Sequence, residues 1–334
     1  MVSRLFVFLA CAQAVCAQPT RELLTNALDV LSLPADRALS GLQVSLQGVV
    51  TVAQPDWGGR FFVQDVTAGI FVENIGDQHP VPGDFVKVTG VSHPGGFAPI
   101  ITQPRWEKLG TAPLPAAKPV SIEQLMAGLE DSQRVEISGT VRSVRVDEYA
   151  LVFHLTSGGY RFQAIVPRAA VSEPESLVGA KVRLRGTAAT SFNAQLRQLI
   201  TIMMFVPFPS DFIVEKTLSG DPFELPVLPL DSLGQYRRGR ELNERVHVKG
   251  TVTYQRRGED LFLQDTNRGI HVKSRQLTPV TPGDVVEAVG FLDFEHFLPV
   301  LQDAVYRKTR EPRALVEPGP WPYQNCKPAT AMPI

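Results

Sequence analysis

Two similar stretches of the chain carry the side chains best suited to bind a ligand. Residues 61–72 and 261–272 both combine aromatic and branched residues with a Gln-Asp pair and a Gly four residues after the Asp. This pattern is typical of a strand, a tight turn and a second strand. Successive strand side chains point to opposite faces, so alternate residues of each hairpin are expected to point outward. The predicted outward residues are Phe62, Gln64 and Phe71 in the first hairpin, and Phe262, Gln264 and His271 in the second.

The six outward residues have two interpretations. Aromatic rings beside an amide can stack on a ring-shaped ligand and hydrogen-bond to its edge, as β-barrels do with bases or sugars. Exposed Phe residues also commonly mark a contact with another part of a protein. The six residues are therefore candidates for a ligand face, and packing against a neighbouring domain is the alternative. The alternate residues Phe61, Val63, Ile70 and Val72 are expected to enter a core.

No residue pattern predicts a catalytic or metal site. The histidines at 79, 93, 154, 247, 271 and 296 have no Cys or carboxylate partner at a metal-ligand spacing. Neither a Gly-x-Ser-x-Gly nucleophile motif nor a phosphate-binding Gly loop is present in the sequence. Asp65 and Asp265 are each followed by Gly four residues on, so we expect them to hold a turn rather than to catalyse or bind metal. We therefore expect no enzyme activity and no cofactor.

The elements that position these candidates are repeated along the chain. The hairpin Asp and the Gly residues at 69, 83 and 90 all recur 200 residues later, while Gly48 recurs 202 residues later as Gly250. A weaker middle copy runs through 135–141, 151–155, 162–166 and 182–186, and Ser121 with Gln124 predicts a capping box before it. Proline-rich links at 113–119 and 222–229 separate the three copies.

Each copy has the outline of an OB-fold, in which five short strands form a partly open barrel and a Gly lets the first strand bend. We predict an all-β protein of three tandem OB-fold-like five-stranded barrels with short connecting helices. A lead-in helix capped by Thr20 is expected from its helical spacing of Leu residues. The predicted boundaries are a signal peptide at 1–17, the lead-in helix at 18–40, modules at 41–112, 119–217 and 226–310, and an irregular tail at 311–334.

The first residues predict export. Arg4, an apolar run over 5–15 and small residues up to Ala17 have the layout of a secretory signal peptide cleaved after Ala17, so a periplasmic or secreted protein is expected. Cleavage would leave Cys326 as the only cysteine, and no second apolar span is predicted in the mature chain. The net charge of −1 provides no basic field for a phosphate backbone, which argues against nucleic-acid binding.

The order of these motifs resembles the extracytoplasmic region of large bacterial sensor histidine kinases. The resemblance covers Gly-Val-Val-Thr at 48–51, the Gln-Asp pairs at 64–65 and 264–265, Gly-Ile-Phe-Val at 69–72, the Pro-Gly-Asp turns and the segment 130–141. The hairpins also resemble the OB-fold anticodon-binding domains of tRNA synthetases, although Gln64 and Gln264 stand where those domains commonly have Arg. In the kinase family, several such modules precede a membrane span and a cytoplasmic kinase, whose motifs this chain lacks.

The resemblance implies a non-catalytic periplasmic sensing or interaction region, truncated before the membrane span and the kinase. Its expected partner is a small molecule, a glycan or a protein. The alternative is a secreted OB-fold binder of oligosaccharide or single-stranded nucleic acid, which would use the outward Phe and Gln side chains.

Overall fold

The computed structural model describes residues 22–54, 57–76, 78–193, 195–196, 198–217, 220–235, 245–266 and 268–314. The predicted signal peptide and residues 315–334 of the predicted tail lie outside the described residues. Strands predominate and form three successive OB-fold barrels, each closed by pairing between its first and fourth main strands, as predicted. No helix in this part of the chain has the length and apolar character needed to cross a membrane.

The first module is a barrel of five main strands, preceded by a short parallel strand and two short helices. Its elements are β1 (Leu23–Leu24), α1 (Ala27–Leu31), α2 (Ala35–Leu39), β2 (Gln43–Ala53), β3 (Phe61–Gln64), β4 (Gly69–Val72), β5 (Asp84–His93) and β6 (Ile100–Thr111). The strands pair in the order β1-β2-β3-β4-β6-β5, and β2 also pairs with β5. Leu46, Phe61 and Val88 belong to the core that these strands enclose.

The second module has the same barrel with one additional strand. Its elements are β7 (Lys118–Pro119), α3 (Ile122–Met126), β8 (Arg134–Val146), β9 (Ala150–Ser157), β10 (Tyr160–Pro167), β11 (Lys181–Asn193), β12 (Gln198–Phe205) and β13 (Phe212–Lys216). The strand order is β13-β11-β12-β10-β9-β8-β7, closed by pairing of β8 with β11. The capping box predicted from Ser121 and Gln124 is present at the start of α3.

The third module repeats the first. Its elements are β14 (Val227–Leu228), β15 (Arg245–Arg256), β16 (Asp260–Gln264), β17 (Gly269–Lys273), β18 (Val285–Glu295) and β19 (Leu298–Lys308). They pair in the order β14-β15-β16-β17-β19-β18, and β15 also pairs with β18. A single 3₁₀ turn at Leu230–Ser232 lies where the first module has α1.

The Gly predicted to bend the first strand has a specific steric role. A side chain at Gly48 would place its Cβ 2.7 Å from the carbonyl oxygen of Gln64, and at Gly250 the corresponding distance to the carbonyl oxygen of Gln264 is 3.1 Å. The first strand therefore passes directly over the end of the second strand, where only Gly fits without a shift.

The hairpin Asp residues hold turns, as predicted, and they also fix the segment that leads into each barrel. Oδ1 of Asp65 accepts hydrogen bonds from the N–H groups two and three residues on (2.7 and 3.0 Å). Its Oδ2 accepts from the N–H of Ala27 at the start of α1 (2.7 Å). Asp265 repeats both contacts, with the N–H three residues on (2.8 Å) and with the N–H of Leu230 (3.3 Å). One carboxylate thus joins the turn to the lead-in segment.

The lead-in segment differs from the single helix predicted over 18–40. Residues 18–21, including Thr20, lie outside the described residues. Leu23 pairs in parallel with Gln43, and α1 begins only after Asn26, whose side chain accepts from the N–H three residues on (2.9 Å). Pro34 then starts a second helix. The helical spacing of the Leu residues was overridden by strand pairing and by the stronger cap at Asn26.

Candidate recognition surface

The alternation predicted for the first hairpin is present in the structure. Phe61, Val63, Ile70 and Val72 are completely buried in the barrel core. Phe62 points away from that core and belongs to a separate cluster outside the barrel. The outward positions of each module therefore form a distinct face, which we call the rear face and define as the outer side of its first three main strands.

The second module covers the rear face of the first. Phe62 is 5% exposed because it packs with Ala189 and Phe205 of the second module. Trp57 stands edge-on to Phe205, with 4.7 Å between ring centroids, and Phe71 lies 5.0 Å from Phe62. Phe62 and Phe71 are thus packed at a junction between modules.

Polar groups pair across the same junction. Oε1 of Gln64 accepts a hydrogen bond from the N–H of Arg134 (2.9 Å). The buried hydroxyls of Thr51 and Thr187 lie 2.9 Å apart. Because these groups have little access to water, leaving either one without its partner would cost free energy, so they set the register of the two modules.

The backbones of the two modules approach each other closely at Gly69. Its N–H donates to Oε1 of Gln133 (2.9 Å), and its carbonyl accepts from Nε2 of the same side chain (3.2 Å). A Cβ at Gly69 would lie 2.0 Å from the carbonyl oxygen of Ser132. The absence of a side chain at Gly69 therefore permits this docking.

The rear face of the second module is covered in turn by the third. Arg142 stands three residues after the Gly of its first strand, as Thr51 does in the first module. Its guanidinium lies 3.8 Å from the ring centroid of Phe291 and 3.3 Å from Oδ2 of Asp303. Arg161 reaches the same carboxylate at 3.4 Å. Burial lowers the pKa of Arg142, and the Asp303 carboxylate opposes that shift.

His154 lies on this second covered face. It pairs with Ser143 of β8, the position that Val52 has opposite Phe62 in the first module. Burial lowers the pKa of His154, and the positive charge of Arg275 in the third module lowers it further. The imidazole is therefore favoured in its neutral form where the two modules meet.

The third module presents its rear face differently. Phe262 keeps 38% of its surface exposed, and its ring is parallel to that of His271, with 4.5 Å between centroids and 4° between planes. Nε2 of His271 lies 2.7 Å from Oδ1 of Asp260, which holds the imidazole in this orientation. Tyr254, 56% exposed, lies 6.2 Å from Phe262. An accessible aromatic platform results.

A cleft of about 880 Å³ opens beside this platform. Gln264 and Thr253 line it, and the turn between β18 and β19 forms another of its walls. At that turn His296 and Phe297 have φ angles of 51° and 67°, in the left-handed region that non-Gly residues seldom occupy. Phe297 is completely exposed. Such backbone strain persists where surrounding structure imposes it, and it is frequent at ligand-binding sites.

The cleft is suited to binding and has a mixed charge. Arg268 and Asp231 both line it, and Glu295 is paired with Lys273 (2.6 Å), so the described lining residues carry both signs of charge. The Thr253 hydroxyl donates to the carbonyl of Phe262 (3.3 Å). Among the described residues, no group of three or more His, Cys, Asp or Glu could hold a metal ion. The arrangement can stack a flat group and hydrogen-bond to its edge.

Comparison with known proteins gives similarity in structure alone. The sequence matches no protein-family model and no curated protein. A murine DNA-binding protein bound to double-stranded DNA is similar at 14% identity and a TM-score of 0.29, over 53% of this chain and 99% of that one. An aspartyl-tRNA synthetase from Entamoeba histolytica is similar at 16% identity and a TM-score of 0.26, over 35% of this chain and about a quarter (24%) of that one. A replication protein A heterotrimer bound to single-stranded DNA shows 10% identity and a TM-score of 0.23, over 30% and 83% of the two chains. Similarity at this level carries no information about the ligand of this chain.

The structure divides the six predicted outward residues into two groups of three. Phe62, Gln64 and Phe71 meet at the junction of the first two modules, while Phe262, Gln264 and His271 lie together on the third. Sequence reasoning missed two rings beside the second group. Tyr254 stands two residues after the buried Val252, so strand alternation predicts that it points inward, and a register shift in β15 between the two residues turns it outward. The exposure of Phe297 depends on the conformation of a turn, so the strand pattern signalled neither ring.

Proposed function

We propose that this chain is an exported, non-catalytic recognition protein of the sensing type, and that the rear face of its third module receives the partner. The observation that carries this proposal is the contrast between two equivalent rings. Phe62 is 5% exposed, whereas Phe262 is 38% exposed beside a parallel His271 and an open cleft. The first hairpin serves internal docking, and the second remains accessible to a partner.

The chemistry of the surface favours an uncharged partner with a flat or apolar face. The parallel rings of Phe262 and His271 offer a stacking platform, and the amide of Gln264 lines the same cleft. The mixed charge of the cleft and the net charge of −1 give no attraction to a phosphate backbone. A sensing role is supported by the resemblance of the repeated motifs to extracytoplasmic sensor regions.

Substitution of Phe262 tests the proposal. The wild-type protein and Phe262→Ala are titrated against neutral oligosaccharides, against single-stranded DNA at two salt concentrations, and against the protein itself. Loss of one stacked ring costs about 1–3 kcal/mol, which corresponds to a roughly 5- to 150-fold weaker affinity. Phe208→Ala is the matched control, because Phe208 is 40% exposed but does not line the cleft.

Three outcomes are informative. Weaker binding by Phe262→Ala with unchanged binding by Phe208→Ala supports the proposal. Equal affinity of Phe262→Ala and wild type for every bound partner refutes it. Tight binding of single-stranded DNA that weakens steeply with salt would replace sensing with nucleic-acid binding as the function.

A further inference from the structure

We infer that the rear face of the third module receives the first module of a second copy of this chain, so that the protein associates head to tail. The inference rests on the proposed function, because it names a partner for the same surface. It follows from the way in which successive modules dock within the chain. We call the outer side of the fourth and fifth main strands of a module, with the residues just before its first strand, the front face.

Both junctions within the chain join a rear face to the next front face through equivalent positions. On the rear side the contact residue stands three residues after the first-strand Gly: Thr51 in the first module and Arg142 in the second. On the front side it directly follows the fourth-strand Gly: Thr187 in the second module and Phe291 in the third. Thr51 meets Thr187 at 2.9 Å, and Arg142 meets Phe291 at 3.8 Å.

The fifth strand repeats the same relation. Thr187 pairs with Phe205, and Phe291 pairs with Gln302. Phe205 packs on the hairpin of the first module, with 6.3 Å between ring centroids. Gln302 accepts a hydrogen bond from the hairpin of the second module (3.4 Å). The two junctions therefore use the same strands, although Arg161 stands in the second junction where the first has Gly69.

In this arrangement of the described modules, neither junction within the chain uses the rear face of the third module or the front face of the first. At one end is the rear face of the third module, with Thr253 and Phe262. At the other is the front face of the first module, where Val91 directly follows Gly90 and pairs with Thr102. Val91 and Thr102 are half-buried, whereas the next pair along the two strands, Ser92 and Ile101, is buried. The front positions of the first module therefore point outward, as they do in the other modules.

A glycine on the third module fits this interpretation. Gly69 needs to be Gly because the Ser132 carbonyl of the next module approaches it. At the equivalent Gly269 the nearest atom to a Cβ would be the Leu263 carbonyl oxygen at 3.6 Å, and φ does not lie in the left-handed region. Nothing within the described chain thus demands Gly there, whereas an incoming backbone would.

The first module has the backbone needed to make that approach. Ser132 stands two residues before β8 and has φ of 66°, and Gly41 stands two residues before β2 with φ of 67°. The carbonyl that meets Gly69 in the first junction therefore has an equivalent on the first module, available to meet Gly269 of another copy. Since front and rear faces differ, this contact is heterologous and forms open chains of molecules unless a ring closes.

Complementary blocking variants test the inference. Phe262→Arg blocks the rear face, because the equivalent Phe62 packs against Ala189 and Phe205 in the first junction, and Thr102→Arg blocks the front face. Sedimentation velocity is measured up to about 1 mM protein, the effective concentration that a short tether provides to modules joined in one chain. The wild-type mass is expected to rise with concentration, and each variant alone is expected to remain monomeric. An equimolar mixture of the two variants is expected to form a 1:1 dimer and nothing larger, because each supplies the face that the other lacks.

The control is Val214→Arg, since Val214 is 40% exposed on β13 of the second module, and this strand belongs to neither face. It should associate like the wild type, and circular dichroism should show that all three variants keep the β fold. A wild-type protein that stays monomeric throughout, blocked variants that associate like the wild type, or a mixture without the dimer would each overturn the inference. If self-association is absent but Phe262→Ala weakens binding of another partner, only the inference fails; if neither is seen, the proposed function fails as well.

Discussion

The docking of the first two modules depends on the absence of a side chain at Gly69. In the variant Gly69→Ala, the added Cβ would start 2.0 Å from the carbonyl oxygen of Ser132, whereas real Cβ contacts essentially never fall below 3.0 Å. The two backbones must therefore move apart by about 1 Å. Both belong to strand and turn segments held by their own barrels, so the movement is expected to fall on the junction between the modules.

The magnitude follows from the hydrogen bonds at that junction. Separation weakens the two bonds between Gly69 and Gln133 (2.9 and 3.2 Å) and the bond from Arg134 to Gln64 (2.9 Å). A hydrogen bond contributes about 0.5–1.5 kcal/mol net, so the loss of these three predicts a destabilisation of about 2–4 kcal/mol. The aromatic cluster behind them loosens in addition.

Urea unfolding followed by tryptophan fluorescence measures this effect, because Trp57 packs 4.7 Å from Phe205 across the junction. Gly269→Ala is the matched control, with the same position in the repeat but 3.6 Å to the nearest atom. It is expected to be neutral or to stabilise by about 0.5–1 kcal/mol, as replacement of Gly within a strand does. Equal unfolding curves for the two variants would refute the steric explanation of Gly69.

Three further changes test the same structure. Phe62→Ala is expected to lower the free energy of unfolding by about 3–5 kcal/mol because it leaves a cavity at a buried site. Phe262→Ala is expected to change the urea midpoint little, and similar losses in both variants would contradict the assignment of covered and open faces. Asp65→Ala removes the hydrogen bonds that this carboxylate accepts from the N–H groups of its turn and of Ala27, and a loss of about 2–3 kcal/mol is expected in the same assay. An unchanged midpoint would argue against this link. Burial holds the folded-state pKa of His154 below its unfolded value of about 6.5, so the unfolded state binds the proton more readily and stability falls as pH drops below about 6.5. His154→Gln should flatten the melting temperature between pH 8 and 5, and an identical slope in the variant would exclude this group.

The features that could be predicted from sequence are those decided by neighbouring residues. Asp65 forms its turn with N–H groups two and three residues on, and the capping box of α3 involves residues three apart. The inward positions of the hairpin follow from strand alternation, and Phe61 and Ile70 are fully buried as expected. Because each signal is local, the three-barrel architecture was accessible without knowledge of any long-range contact.

Features decided by distant residues were not accessible in this way. The Leu residues of the lead-in segment fit a helix by their spacing, yet Leu23 lies in a strand because it pairs with Gln43, twenty residues later. The second use of Asp65 was missed for the same reason, since its partner Ala27 is 38 residues away. Spacing alone does not specify which distant backbone will occupy a free hydrogen-bonding group.

The two hairpins show where this limit falls on the candidate site. Gln64 and Gln264, like Gly69 and Gly269, are identical in type, so these residues cannot reveal which rear face is covered. The informative difference is at one position, where Phe71 is replaced by His271. A ring that meets the aromatic cluster of another module can be wholly apolar, whereas the ring on the open face carries a nitrogen that lies 2.7 Å from Asp260 and remains stacked on Phe262. The residues that are identical in the two hairpins are therefore those that the barrel and its docking require. The replacement of Phe71 by His271 indicates which of the two rear faces is accessible.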